Sequence, residues 1–242
     1  NCDYHWPRGR VTLNLAPADT RKEGPAYDLP IAIAILVAAE QLEPVRLAEV
    51  AIVGELALDG AVRPVKGVLP MALAVREAGL PAFIVPEANA AEAAVVQGLK
   101  VYPVRCLNDA AGIVSDRAIL EPKQVDIAAV FAQNARYEVD FADVRGQEHA
   151  KRALVVAAAG HHNVLMIGPP GTGKTMLAQR LPTILPPLSL EEALETTKVY
   201  SVAGELRPGQ CLLATRPFRD PHHTTSDVAL IGGGSYPRPG HV

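Results

Sequence analysis

Between an apolar run, Val164 to Ile167, and a stretch of helical spacing, Met176 to Leu181, the chain reads Gly168-Pro169-Pro170-Gly171-Thr172-Gly173-Lys174-Thr175. This order constrains the fold more than any other feature. An apolar segment leading into a glycine-rich turn and then a helix predicts an α/β unit, with the run as a buried parallel strand. The residue types also carry a chemistry. Glycines let backbone N–H groups turn inward around phosphate, lysine neutralises β/γ oxygens, and threonine offers its hydroxyl to Mg²⁺. A helix that starts at the loop adds its N-terminus to the same anion. The expected nucleoside-triphosphate site is Gly168 to Thr175 with Met176. Lys174 and Thr175 are its catalytic candidates, and Thr175 is the candidate Mg²⁺ ligand.

A phosphate-loop ATPase also needs an apolar strand ending in acidic residues. From Met176 to Val242 no run of four apolar residues is followed by Asp or Glu. The chain starts at Asn1 and stops at Gly240-His241-Val242, so the expectation is a piece cut at both ends. Its 242 residues suffice for two domains, and 49% hydrophobic with 20% charged residues is ordinary globular composition. A formal charge of −3 gives no global electrostatic case for nucleic acid or an anionic membrane. Cys2, Cys106 and Cys211 lie too far apart for a zinc motif or a disulfide framework, which fits a reducing compartment. The apolar stretch Ile31 to Ala39 is too short to span a bilayer, and no signal peptide is visible.

The first part reads as an α/β domain. Val11 to Leu15 alternates like a half-buried strand, and Asp28 with Pro30 opens a helix expected to reach Leu42. Val50 to Leu58 is strand-like, Asp59-Gly60 is a turn, and a helix from Val68 to Ala78 ends at Gly79. Ala82 to Val85 is a short buried strand and Ala88 to Gln97 an alanine-rich helix. Val101 to Val104 is an edge strand because it carries Pro103. The pattern then weakens, which gives a first domain over 1–116, a linker over 117–136 and a second domain over 137–242. In the second, a helix is expected from Gln147 to Ala159, and Ser189-Leu190-Glu191-Glu192 fits a capping box. Glycine, proline and arginine dominate from Val202 onward.

Phe141-Ala142-Asp143-Val144-Arg145-Gly146-Gln147 before the phosphate loop resembles the opening of an AAA+ ATPase domain. In that family this stretch lies over adenine, so Val144, Arg145 and Gly146 are implied to border the base. Arg216-Pro-Phe-Arg-Asp-Pro-His-His-Thr-Thr225 and Val228-Ala-Leu-Ile-Gly-Gly-Gly234 resemble the magnesium-chelatase branch, whose insertion separates the loop from the acidic strand. Lys22-Glu23-Gly24-Pro25-Ala26-Tyr27-Asp28 and Val53-Gly54-Glu55-Leu56 resemble the proteolytic domain of Lon-type proteases. The nucleophilic serine position is then Ala26 and the lysine position Leu69, with Lys66 one helical turn away. Without a hydroxyl at position 26 there is nothing to acylate, so a catalytically silent Lon-like domain is implied.

A silent Lon-like domain followed by a magnesium-chelatase-type AAA+ domain resembles the ComM/YifB family. The resemblance implies a Lon-protease-like (ribosomal S5 domain 2-like) α/β domain followed by an incomplete P-loop NTPase domain. It implies ATP and Mg²⁺ as cofactors, a cytoplasmic homo-hexamer, and ATP hydrolysis coupled to branch migration of single-stranded or branched DNA in natural transformation and recombination. Two alternatives stay open: a chelatase-type ATPase subunit acting on protein or porphyrin partners, and a nucleotide-binding or assembly module without activity.

The pairs His161-His162 and His222-His223 lack a carboxylate or cysteine at zinc-ligand spacing, and no metal other than nucleotide-bound Mg²⁺ is expected. Arg207, Arg216, Arg219 and Arg238 could meet phosphates, but Glu205, Asp220 and Asp227 nearly balance them. A solvated loop is the plainer reading.

Overall fold

The structure is a computed structural model that describes residues 4–15, 24–118, 120–207, 209–233 and 238–240. Cys2, Lys22, Glu23 and Gly234 of the readings above lie outside them, as does the side chain of Arg238. The chain forms two compact units, Asn1–Ile127 with Thr197–Cys211, and Ala128–Thr196 with Leu212–Val242.

In the first unit, strands β1 (Val50–Ile52), β4 (Ala82–Pro86) and β5 (Lys100–Val104) form a parallel sheet in the order β1-β4-β5. The side-chain period of two sorts their residues onto opposite faces. Val50, Ile84, Tyr102 and Val104 pack with helices α1 (Asp28–Ala38) and α4 (Leu107–Val114). Phe83, Val85 and Val101 pack with α2 (Val68–Glu77) and α3 (Ala90–Ala93). Every residue of β4 is buried. Burial on both faces is why Ala82 to Val85 reads as a continuous apolar run rather than an alternating one. β5 takes the edge, where Pro103 can do without a donor on its outer side.

Between β1 and α2, β2 (Glu55–Leu56) and β3 (Val62–Arg63) form an antiparallel pair around the Asp59-Gly60 turn. Asp59 accepts the Ala61 N–H at 3.0 Å, and Gly60 takes the left-handed φ of 88° that the turn needs. The expected single strand Val50 to Leu58 is thus two strands. Gly54 breaks it, because its N–H donates to the Ala26 carbonyl at 3.0 Å and its carbonyl accepts from Leu29 at 3.1 Å.

Three further expectations change. Helix α1 stops at Ala38 rather than Leu42, because Glu40 turns left-handed (φ 56°) and the Gln41 N–H returns to the Leu36 carbonyl at 2.9 Å. The helix expected over Ala88 to Gln97 shrinks to a 3₁₀ turn, Glu87–Asn89, and the single-turn α3. Asn89 spends its side chain on both backbone groups of Val65, at 3.0 and 2.9 Å, so a partner 24 residues away holds the start of this stretch. Residues 11–15 form no strand among the described residues, and Leu13 is half exposed.

The second unit is mostly helical. It holds α5 (Ile127–Asn134, from its second residue), α6 (Glu148–Gly160), α7 (Lys174–Arg180), the first half of α8 (Leu190–Ala203), α9 (Asp227–Ile231) and a short pair, β6 (Gly232–Gly233) with β7 (Arg238–Pro239). Composition alone put a linker where α5 forms. Residues 197–211, read with the second domain, pack in the first unit. The run Val164 to Ile167 forms no strand among the described residues, and Leu165 and Ile167 are more than four-fifths exposed. A buried parallel strand needs a backbone neighbour. The one ladder in this unit's described residues joins β6 to β7.

Gly54 sets the first prediction. A methyl group there would meet Val62 Cγ1 at 2.9 Å and Leu29 Cδ2 at 3.1 Å, and Leu29 is fully buried. Gly54→Ala is expected to destabilise the chain by about 1–3 kcal/mol, read as a lower urea midpoint with an unchanged slope.

Candidate functional site

The phosphate-type loop stands between the apolar segment 164–167 and α7. Gly171 (φ 80°) and Gly173 (φ 83°) adopt left-handed conformations, which side-chain-bearing residues adopt only under strain. Thr172 Oγ1 donates to the Pro169 carbonyl at 2.9 Å and closes the turn through Pro170. The Lys174 ammonium donates to the carbonyls of Gly168 at 2.8 Å and Pro169 at 2.7 Å. Among the described residues it has no carboxylate partner. A cation held only on neutral loop carbonyls and the Thr172 hydroxyl, beside positive-φ glycines, suits a polyphosphate. An arriving anion exchanges dipole contacts for charge-assisted bonds. Thr175 is exposed at the first turn of α7, and Met176 is 38% exposed beside it.

Behind the loop, Phe141, Val144, Leu154 and Leu177 form a buried cluster, with Met166, Leu181 and Ile184 against it. Leu177 ties α7 to α6 through this cluster, while Arg180 donates to the Asp140 carbonyl at 3.1 Å. The stretch expected to border a base therefore lies in the same unit as the loop. Its Val144 side chain is buried, whereas Arg145 and Gly146 are exposed. Lys151 holds the Val144 carbonyl at 3.2 Å. A cavity of about 420 Å³ runs beside the loop, lined among others by Gln147, Leu154, Met166, Gly168, Lys174 and Leu177. That volume lies within the range of small-molecule sites.

The Lon-type positions also come together. Ala26 and Leu69 belong to the same apolar cluster, and Leu69 is fully buried. Methyl and isobutyl groups stand where that chemistry needs hydroxyl and amine. Lys66 is no replacement, since its ammonium donates to the Ala203 carbonyl at 3.2 Å. Beside Leu69 lies a buried polar group that no motif announces. Glu92 accepts the Leu69 N–H at 2.9 Å, Asn89 Nδ2 at 3.2 Å and the Ser201 hydroxyl. These residues come from distant segments, so only long-range packing reveals them.

The arginine-rich stretch is largely committed. Arg216 donates to the Pro186 carbonyl at 2.9 Å and pairs with Glu192 at 3.4 Å. His222 and His223 stack with ring centroids 4.1 Å apart, and His222 Nδ1 lies 2.7 Å from Thr224 Oγ1. Among the described residues no group of three His, Cys, Asp or Glu is placed to hold a metal ion. No helix of the described residues is long and apolar enough to cross a membrane.

A nucleotide-type loop behind a helical core, in a chain that also carries a Lon-like α/β unit, defines an AAA+ ATPase-type protein. The family model "Magnesium chelatase, subunit ChlI" matches residues 140–242, and "Subunit ChlI of Mg-chelatase" matches residues 1–89. The chain is 44% identical over 245 residues to Competence protein ComM of Haemophilus influenzae, covering 100% of this chain and 47% of that protein. It is 45% identical over 243 residues to Uncharacterized protein YifB of Salmonella typhimurium, again 100% of this chain and 47% of the relative. A shorter match, 49% over 51 residues, reaches an archaeal Lon protease of Thermococcus kodakarensis and covers 21% of this chain and 8% of that one. Along its whole length the chain is similar to members of the ComM/YifB family. It spans about half the length of the curated relatives it matches.

The capping box at α8 gives a pH prediction. Ser189 N–H donates to Glu192 at 2.8 Å and Glu192 N–H to Ser189 Oγ at 3.1 Å. The Ser189 amide and the nearby Arg216 charge hold the Glu192 carboxyl below the usual carboxylate range. A lowered folded value means that this stabilisation is fully present above the ordinary range and lost as pH falls through the lowered one. Glu192→Gln should therefore lower the melting temperature at neutral pH and converge with the parent in acid.

Burial pushes the Cys211 thiol up. Native chain should alkylate Cys106, which is partly exposed, well before Cys211. Peptide mapping after a timed iodoacetamide pulse reads the order.

Proposed function

We propose that this chain binds ATP with Mg²⁺ through Gly168–Thr175, and that it is the nucleotide-binding part of a ComM-type motor coupling hydrolysis to DNA branch migration. The observation that carries the nucleotide reading is Lys174, whose ammonium contacts only the carbonyls of Gly168 and Pro169 and the Thr172 hydroxyl among the described residues. Lys174 pairs with the β/γ oxygens, and Thr175 supplies an oxygen to Mg²⁺. The backbone from Gly171 to Thr175 cradles the phosphates, and Arg145 and Gly146 border the adenine. Bound Mg²⁺ would neutralise developing phosphate charge.

The DNA role rests on relatedness to the protein named Competence protein ComM. Working as a cytoplasmic homo-hexamer, with single-stranded or branched DNA as partner, belongs to the same reading. The Lon-like unit is a peptidase scaffold without peptidase chemistry, supported by Ala26 and Leu69 at its two reacting positions.

The test compares ATP binding by this chain, and ATPase activity by a chain of the relatives' full length, with and without single-stranded and junction DNA. Lys174→Ala should abolish binding of ATP and all turnover, and junction DNA should stimulate the parent. An ATPase indifferent to every DNA would overturn the motor reading in favour of protein or porphyrin partners. A parent that binds no ATP would overturn the nucleotide reading itself.

A further inference from the structure

Gln147 ends the stretch expected to lie over the base, yet its side chain reaches the phosphate loop. Its Nε2 donates to the Thr172 carbonyl at 2.9 Å. The backbone is shaped for this reach, because Gly146 (φ 67°) and Gln147 (φ 54°) are consecutive left-handed residues. A non-glycine residue there is uncommon and marks a conformation that its surroundings enforce. At Gly173 an added Cβ would stand 3.4 Å from the same Nε2, so the carboxamide lies directly against this peptide.

The consequence follows from peptide planarity. In a trans peptide the carbonyl and the next N–H point in opposite directions. A Thr172 carbonyl held by Gln147 therefore turns the Gly173 N–H away from Gln147. That N–H finds no acceptor among the described residues. Thr172 Oγ1 and Lys174 Nζ meanwhile bond to loop carbonyls, so the loop keeps its shape through side chains and leaves backbone donors free.

We infer that Gln147 is a positioning residue of the phosphate cradle: its carboxamide fixes the Thr172–Gly173 peptide so that the Gly173 N–H is presented to the polyphosphate. The inference rests on the nucleotide reading above and assigns Gln147 to the phosphates rather than to the base. A donor at this position is what matters, so an apolar residue of equal length should lose the effect.

The experiment measures affinities of the chain for ATP, ADP and adenosine by calorimetry, for the parent, Gln147→Met, Gln147→Ala and Lys174→Ala. Met keeps the length and removes the donor, and Ala removes both. The expected result for Gln147→Met is about three- to tenfold weaker ATP and ADP binding, with adenosine binding and the melting temperature unchanged. Amide exchange over residues 168–177 gives a readout that survives a change in stability: nucleotide protects this segment in the parent and protects it less in Gln147→Met. ATP affinity and protection equal to the parent's would overturn the inference while the Lys174→Ala loss leaves the nucleotide reading standing. Equal weakening of adenosine and ATP would overturn it too, by assigning Gln147 to the base or to general structure. A parent that binds no ATP defeats both.

Discussion

Backbone groups that lack a helical or ladder partner must find one elsewhere, and this requirement organises both units. At the phosphate loop, the carbonyls of Gly168, Pro169 and Thr172 lie outside regular structure. Side chains of Lys174, Thr172 and Gln147 satisfy them. In the first unit the free start of α2 is met in the same way. Glu92 accepts the Leu69 N–H, and the Ser201 carbonyl accepts the Gly67 N–H at 3.0 Å. Satisfaction by side chains leaves a loop its shape without consuming all of its donors. A ligand can then use those donors.

The two units use the α/β pattern differently. The first buries its sheet on both faces, so removing polar groups from Ala26 and Leu69 leaves a sound core in which these residues are apolar packing. A scaffold of this kind persists without its chemistry because packing, not catalysis, holds it. The second depends on a small cluster around Phe141, Val144, Leu154 and Leu177, from which the loop extends. Precision at the loop therefore comes from α6 and α7 being joined by Leu154 and Leu177, together with the Gln147 bridge.

Much of this was legible in the chain. Asp59-Gly60, Gly79 after α2, the Ser189–Glu192 box and the edge strand with Pro103 all follow from local rules that depend on neighbours in sequence. Where reading failed, a distant partner decided. Residues 11–15 and 164–167 have strand composition but form no strand among the described residues, because strand formation depends on a partner that local pattern does not supply. The alanine-rich stretch after Ala88 lost most of its helix to the bonds between Asn89 and Val65.

By itself, the sequence determined the phosphate-type loop, the family likeness and the apolar residues at the two Lon-type positions. Those conclusions depend on which atoms a residue carries and on short spacings along the chain. Only the tertiary structure decided that the Gln147 carboxamide bonds the Thr172 carbonyl and that Ser201 joins Glu92 and Asn89 in the first unit. It also decided that Arg216 is occupied by Glu192. Each of these is a hydrogen bond or ion pair between segments remote in sequence. Its existence depends on how the helices pack, and no local pattern encodes that.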